Sequence, residues 1–335
     1  MPATRPHRGH GKRIASILLA GAAVAATATG CSGSSSAGVS SASGGTGKKF
    51  TVGLAEASTT IPFLAAMDAA FKAEAEKHGM TTVILNGELD NAKQAANVET
   101  LIAKKVDLIV VVSSSPTAVI PAIKHANQVG IPVIALNAKL DRGADLVTYV
   151  GDSDFQYGQG EANLLLQALP TGGKVAVIIG PPGDTPTVNR LDGIKDVLKS
   201  HPETQIVATP SDGFDNSKNL SVTQDLLSKY PKGTLNAIVA EGPQMYVGAE
   251  YAHKNGRDDI TFIAGDYSKQ VETAIRSGAL YGTVNQSPVL EGTQGADYAY
   301  YWLTGDKSKV TQPEALIPLP AITKGNVDTN PAEWG

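Results

Sequence analysis

One cysteine, Cys31, stands in 335 residues, so no disulfide can close within the chain. Past the first thirty residues no apolar stretch approaches the roughly 20 residues that a membrane-spanning helix needs. Histidine is scarce. His7 and His10 fall in the opening segment, and His78, His125, His201 and His253 have no partner at i, i+4 spacing and no carboxylate pair at metal-ligand spacing. Solvated or capping histidines are expected, and no metal. There is no G-x-S-x-G elbow. "YGQGEA" (157–162) lacks the third glycine of a dinucleotide fingerprint, and "GPPGDTPT" (180–187) lacks the Gly-Lys-Ser/Thr ending of a phosphate cradle. The first opens no initial βα unit, and the second reads as a loop at a cleft. These absences remove the usual signs of an enzyme, and no cofactor is expected.

What is present begins with three zones ahead of Cys31. Basic residues Arg5, Arg8, Lys12 and Arg13 come first, then an apolar run from Ile14 to about Ala26, then the small residues Ala28, Thr29 and Gly30. This is the layout of a secretory signal over residues 1–30. Its Gly-Cys ending resembles the lipobox of bacterial lipoproteins, which implies cleavage before Cys31 and lipidation of its sulfur. Two acyl chains hold a protein on a bilayer where one is marginal, so the expected location is the extracytoplasmic face of a cell membrane. Residues 31–47 are almost wholly Ser, Gly, Ala and Thr, a composition that cannot bury apolar surface and is expected as a tether. The signal carries four of the 28 basic residues and none of the 32 acidic ones, leaving 24 against 32, a net charge of −8. That balance argues against a nucleic-acid partner.

From Phe50 onward short β-rich runs alternate with amphipathic helical stretches. "FTVGLA", "TTVILN", "DLIVVV" and "PVIALN" read as strands about 25 residues apart, and Pro62 opens a helix with Leu64, Met67, Phe71 and Ala75 on one face. The pattern restarts after "VTYVGDSD" with strands "KVAVIIG", "TQIVATP", "NAIVAE" and "TFIAGD". Two sets of βα units predict an α/β protein of two doubly wound parallel-sheet lobes. Ligands of such sheets gather at the carboxyl ends of the strands, here in a cleft between lobes.

Candidate site residues sit where strands end. They are Phe63, Asn137, Arg190 at the start of a helix, Phe214, Asp266 and Gln286. Glu56 and Asp152 are further strand-end acids. Two aromatic faces, a guanidinium, a carboxylate and two amides suit a small polyhydroxylated ligand: rings cover C–H faces, and planar polar groups bind vicinal hydroxyls.

Segments "IPFLAAMDAAFKAEAEKHG", "ANQVGIPVIAL", "TVNRLDGI", "DGFDNSKNLSVTQDLLSKYP" and "FIAGDYSKQVETAIRSGALYGTVNQ" resemble the periplasmic sugar-binding proteins of the ribose/galactose type, over about Phe50 to Pro318. These are the type I substrate-binding components of ABC importers. The resemblance implies a ligand site at Phe63, Arg190, Phe214, Asp266 and Gln286, with the residue types kept. It also exposes departures. Asn137-Ala138 replaces an aspartate-arginine pair, Ile61 and Gly242 replace asparagines, and Leu64 replaces a second aromatic. A net hydrogen bond is worth about 1 kcal/mol, and roughly 1.5–3 with a charge, so ribose is expected to bind poorly. A polyol, a deoxy sugar or a furanose is expected instead, with Asp141-Arg142 as an alternative source of the missing pair.

The resemblance further implies three crossings between lobes, near 151–153, 285–287 and 316–318. The N-terminal lobe is then 48–151 plus 287–316, and the C-terminal lobe 152–286 plus 317–335. Closure about this hinge would present the ligand-bound shape to an ABC permease and its ATPase, with the binding protein acting as a monomer. Service to a chemoreceptor or sensor kinase, and binding of a non-sugar signalling molecule, stay open. A repressor of similar core would need a helix-turn-helix ahead of the first strand, where this chain has a signal and a tether.

Overall fold

The computed structural model describes residues 48–335; the expected signal, the expected lipidation site Cys31 and the expected tether lie outside them. The first half runs β1 (Thr51–Glu56), α1 (Pro62–Lys77), β2 (Thr81–Asn86), α2 (Asn91–Ala103), β3 (Leu108–Val111), α3 (Ile120–Gln128), β4 (Val133–Leu136) and β5 (Tyr149–Gly151). The second runs α4 (Asp154–Ala168), β6 (Gly173–Ile178), α5 (Thr185–Leu198), β7 (Thr204–Ala208), α6 (Asn216–Lys229), β8 (Ala237–Ala240), α7 (Met245–Lys254), β9 (Thr261–Gly265), α8 (Lys269–Ser277) and β10 (Gly282–Val284). The chain then returns through α9 (Pro288–Thr304) to β11 (Glu314–Leu316) and ends in β12 (Ala321–Thr323). Two six-stranded sheets result, ordered β11-β5-β4-β3-β1-β2 and β12-β10-β9-β8-β6-β7. The same winding, outward from a switch point beside the first strand, occurs in both lobes.

Strand alternation explains why each sheet carries helices on both faces. Leu108 and Val110 of β3 pack in one apolar cluster with Met67 and Phe71 of α1, while Ile109 and Val111 pack in another with Leu101 of α2 and Ile123 of α3. In the second sheet Ile178 and Ile238 face α6 and α7, and Val177 and Val239 face α4. Among the described residues no helix is long and apolar enough to cross a membrane.

The chain crosses between the sheets after β5, β10 and β11. The first two crossings begin helices, each capped by a serine: Ser153 Oγ accepts from Gln156 N–H at 3.3 Å and Ser287 Oγ from Leu290 N–H at 3.1 Å. One strand departs from the expected parallel pattern, since β12 pairs antiparallel with β10. Every other pairing in the two sheets is parallel, and most of those strands are reached through a helix. After β11 only residues 317–320 intervene, too few for a helix, so β12 enters the second sheet at the crossing and runs away from it.

Glycines set the approach of α4 to α5. A Cβ on Gly158 would lie 1.9 Å from the carbonyl oxygen of Arg190, and one on Gly193 would lie 2.1 Å from that of Phe155. Gly158 of "YGQGEA" thus serves helix packing, against the backbone that carries Arg190.

Candidate functional site

A cavity of about 600 Å³ takes its walls from the carboxyl ends of strands in both sheets. Phe63, Asn137, Arg190, Phe214, Asp266 and Gln286 all line it, as do Ile61 and Leu64. Pro62 at the first turn of α1 directs the chain so that Phe63 and Leu64 are buried against this wall.

Arg190, 5% exposed, is held on three sides. Nε donates to Asp154 Oδ1 at 3.2 Å, Nη1 to the Glu241 carbonyl at 2.9 Å and Nη2 to Gln286 Oε1 at 2.8 Å. Its carbon Cζ lies 3.9 Å from the Tyr157 ring centroid. A guanidinium has five N–H donors, so one on each Nη remains for a ligand. The hydrogen bonds continue into the first lobe. Gln286 Nε2 donates to Glu291 Oε1 at 2.7 Å, and Asn137 Nδ2 donates to Glu291 Oε2 at 3.0 Å. Glu291, on α9, therefore joins a first-lobe amide to a second-lobe guanidinium through the crossing.

Three site residues adopt left-handed backbone that side chains disfavour: Asn137 (φ 66°), Phe214 (φ 60°) and Asp266 (φ 54°). Each is fixed at both peptide groups. Asn137 N–H donates to the Val150 carbonyl at 2.8 Å, and its own carbonyl accepts from Tyr149 OH at 2.9 Å. Phe214 N–H donates to Asp212 Oδ1 at 2.9 Å, and its carbonyl accepts from Gln244 Nε2 at 2.9 Å. Asp266 N–H donates to Tyr157 OH at 2.6 Å, and its carbonyl accepts from Thr283 Oγ1 at 2.6 Å. Such strain persists only where surroundings over-determine it, and it concentrates at binding sites. Asn137 follows β4 and Asp266 follows β9, the corresponding strands of the two lobes.

Burial dominates the electrostatics. It raises the Asp266 carboxyl to about 6, against the pull of Arg190. It raises Glu291 to about 7 despite the two amides that donate to it, and Glu241 to about 8 despite the Gly180 N–H and Arg190. Asp152 and Glu161 are pushed well above the carboxylate range by burial and neighbouring acids. One guanidinium thus faces more carboxyl groups than it can neutralise, and burial favours their protonated forms.

Several sequence candidates do not reach the wall. Glu56 is fully buried, and Oε1 accepts from the N–H of Ala57 at 2.7 Å, turned onto its own loop. Asp152 is fully buried at the first crossing, and neither oxygen has a hydrogen-bond partner among the described residues. Gly242 lies behind the wall, where a Cβ would meet the Phe214 ring at 2.8 Å. Asp141 and Arg142 are exposed on the loop after β4 and do not line the cavity. Trp334 and Gln244 line it without having been singled out, and Glu291 supports it. The histidine reading also needs correction, because His78 Nε2 meets Asp297 of α9 at 2.6 Å and Glu74, four residues earlier on α1, at 3.8 Å. Spacing among histidines could not reveal a partner 219 residues away.

Two α/β lobes, three crossings and a cavity lined from both sheets are the architecture of a two-lobed solute-binding protein. A family model described as a periplasmic binding protein domain matches residues 52–307, and the chain belongs to that family. It is 31% identical over 267 residues to the ribose import binding protein of Bacillus subtilis, covering 80% of this chain and 86% of that one. It is 29% identical over 240 residues to the xylitol-binding protein of Mycolicibacterium smegmatis, covering 71% and 67% respectively. An ABC transporter solute binding protein from Mycobacterium smegmatis, solved with bound glycerol, superposes with a TM-score of 0.76 at 25% identity, over 84% of this chain and 96% of that one. These relatives are binding proteins and not enzymes, and this chain is a binding protein of the same periplasmic kind.

Proposed function

We propose that the protein captures a small carbohydrate or polyol in the cavity between its lobes and delivers it to an ABC importer from the outer face of the membrane. The observation that carries this reading is the lining itself. Phe63 and Phe214 offer ring faces, Arg190 offers two N–H donors, and Asp266, Gln286 and Asn137 offer further polar atoms within one cavity of about 600 Å³. A polyol, a deoxy sugar or a furanose fits best, because Asn137-Ala138, Ile61 and Leu64 give the first-lobe wall fewer polar contacts than a pyranose site needs. The xylitol-binding relative and the glycerol-bound structure agree with that class.

In this reading Cys31 carries the lipid anchor and residues 31–47 the tether. The lobes, 48–151 plus 287–316 and 152–286 plus 317–335, rotate about the three crossings. The open form admits the ligand, and contacts made from both sides shift the population toward closure. Residues 48–335 form a compact unit and can be screened without the preceding segment. Thermal unfolding against pentoses, hexoses, deoxy sugars and polyols tests the proposal. A ligand at 100 times its dissociation constant adds about 2.7 kcal/mol. A large shift with one member is expected; no shift with any carbohydrate or polyol would overturn the ligand class while leaving the fold standing.

A further inference from the structure

Trp334 lines the cavity, yet it lies outside residues 52–307 that the family model matches. Its backbone is bound to the second lobe. It bridges to Ser268 at the start of α8, and Lys269 N–H donates to the Trp334 carbonyl at 2.8 Å. The two residues before it are tied as well. Ala332 N–H donates to Glu272 Oε2 at 2.8 Å, and Ser287 Oγ, the cap of α9, donates to Glu333 Oε2 at 2.6 Å. Its side chain goes the other way, into the apolar cluster of the first lobe with Leu64 and Met67. There the indole meets the Phe63 ring edge-on, centroids 5.7 Å apart at 87°. The ring is 6% exposed and its N–H has no acceptor among the described residues, so packing and the backbone bridge hold it, not a polar contact of its own.

We propose that Trp334 is both a ligand-contacting wall and the clasp of this site. It supplies, from a distant segment, the aromatic face that the Leu64 position lacks. Anchored on one lobe with its ring seated in the other, it couples ligand contact to closure. An aromatic ring offers a large apolar face to the C–H groups of a sugar or polyol, and this one is held in place by its burial in the first lobe's apolar cluster. The inference rests on the function proposed above.

The protein has two tryptophans, and Trp302 on α9 is not part of the cavity lining. Calorimetric titration and tryptophan emission, with xylitol, D-ribose, myo-inositol and glycerol as probes, separate the possibilities. In Trp302→Phe the best-binding probe is expected to shift the emission of the remaining indole. Trp334→Ala is expected to lose tenfold or more in affinity. Trp334→Phe keeps a ring and discards an unsatisfied donor, so it is expected to unfold at or above the wild-type temperature and to retain binding within about threefold. If the wild-type protein binds a probe but the Trp302→Phe emission does not move, or Trp334→Ala binds within twofold of wild type, this inference is wrong and the proposed function stands. If no probe binds the wild-type protein, the ligand class falls and this inference with it.

Discussion

Arg190 carries the densest set of contacts at the site, stacked on Tyr157 and bonded to Asp154, Glu241 and Gln286. A lysine has neither the planar fork nor the stacking face. Arg190→Lys is expected to fold but to bind ligand ten- to a hundredfold more weakly by calorimetry, the equivalent of about 1.5–3 kcal/mol for a charge-assisted hydrogen bond. Gly242 tests the departures from the ribose-type pattern. Restoring the family's asparagine there would drive a side chain into the Phe214 ring and Gln244. Gly242→Asn is expected to lower the unfolding temperature without improving ribose affinity, whereas tighter ribose binding would show that the wall can repack. Phe63 and Phe214 were legible in the sequence because each follows a strand in a regular βα series, and Arg190 because it lies on the helix after such a strand, although α5 begins at Thr185 and places it in the second turn and not at the start. Glu291 was not, because it sits in the first turn of α9, where an acid is ordinary, and acts on Asn137, 154 residues away. Trp334 gave no signal either, since neither periodicity nor resemblance extends to it.

Among the elements, α4 and α5 matter most, because their close approach places Arg190 in the cavity wall. Gly158 touches the Arg190 carbonyl itself, so Gly158→Ala must push the two helices apart. Overpacking of this kind costs about 1–3 kcal/mol. The variant is expected to unfold at lower denaturant concentration and to lose ligand affinity together with stability; a loss of stability with affinity unchanged would show that Arg190 does not depend on this packing. The strand ends show the same economy of placement. Asn137, Phe214 and Asp266 are held in left-handed backbone by Tyr149, Gln244 and Tyr157 with Thr283. The alternation of strands and helices was readable from hydrophobic period alone. The direction of β12 was not, because it depends on which side of the sheet a four-residue link enters.

At the scale of the whole molecule, the buried acids set the response to pH. Glu241, Glu291 and Asp266 titrate at about 8, 7 and 6 in the folded protein, each raised by burial. A raised carboxyl gives stability that is fully present below its ordinary value and is lost as pH rises through the folded one. Stability is therefore expected to fall between about pH 5 and pH 8. Asp259, lowered to about 2 by Arg257, works in the opposite sense only in strong acid. Glu241→Gln removes one such group while leaving an acceptor for Gly180 N–H, and is expected to flatten the decline in urea midpoint from pH 5 to pH 8; an unchanged slope would remove Glu241 from the account. The two-lobed plan was legible because the βα series restarts after Gly151. The chemistry of the ligand was legible only as a class, since the wall combines residues from both lobes and a segment beyond the repeating pattern. The most direct test is a calorimetric titration of the protein with D-ribose beside xylitol and other polyols, deoxy sugars and furanoses. One saturable site with at least tenfold preference for a member of the second group over ribose is expected, and tightest binding of ribose would contradict it.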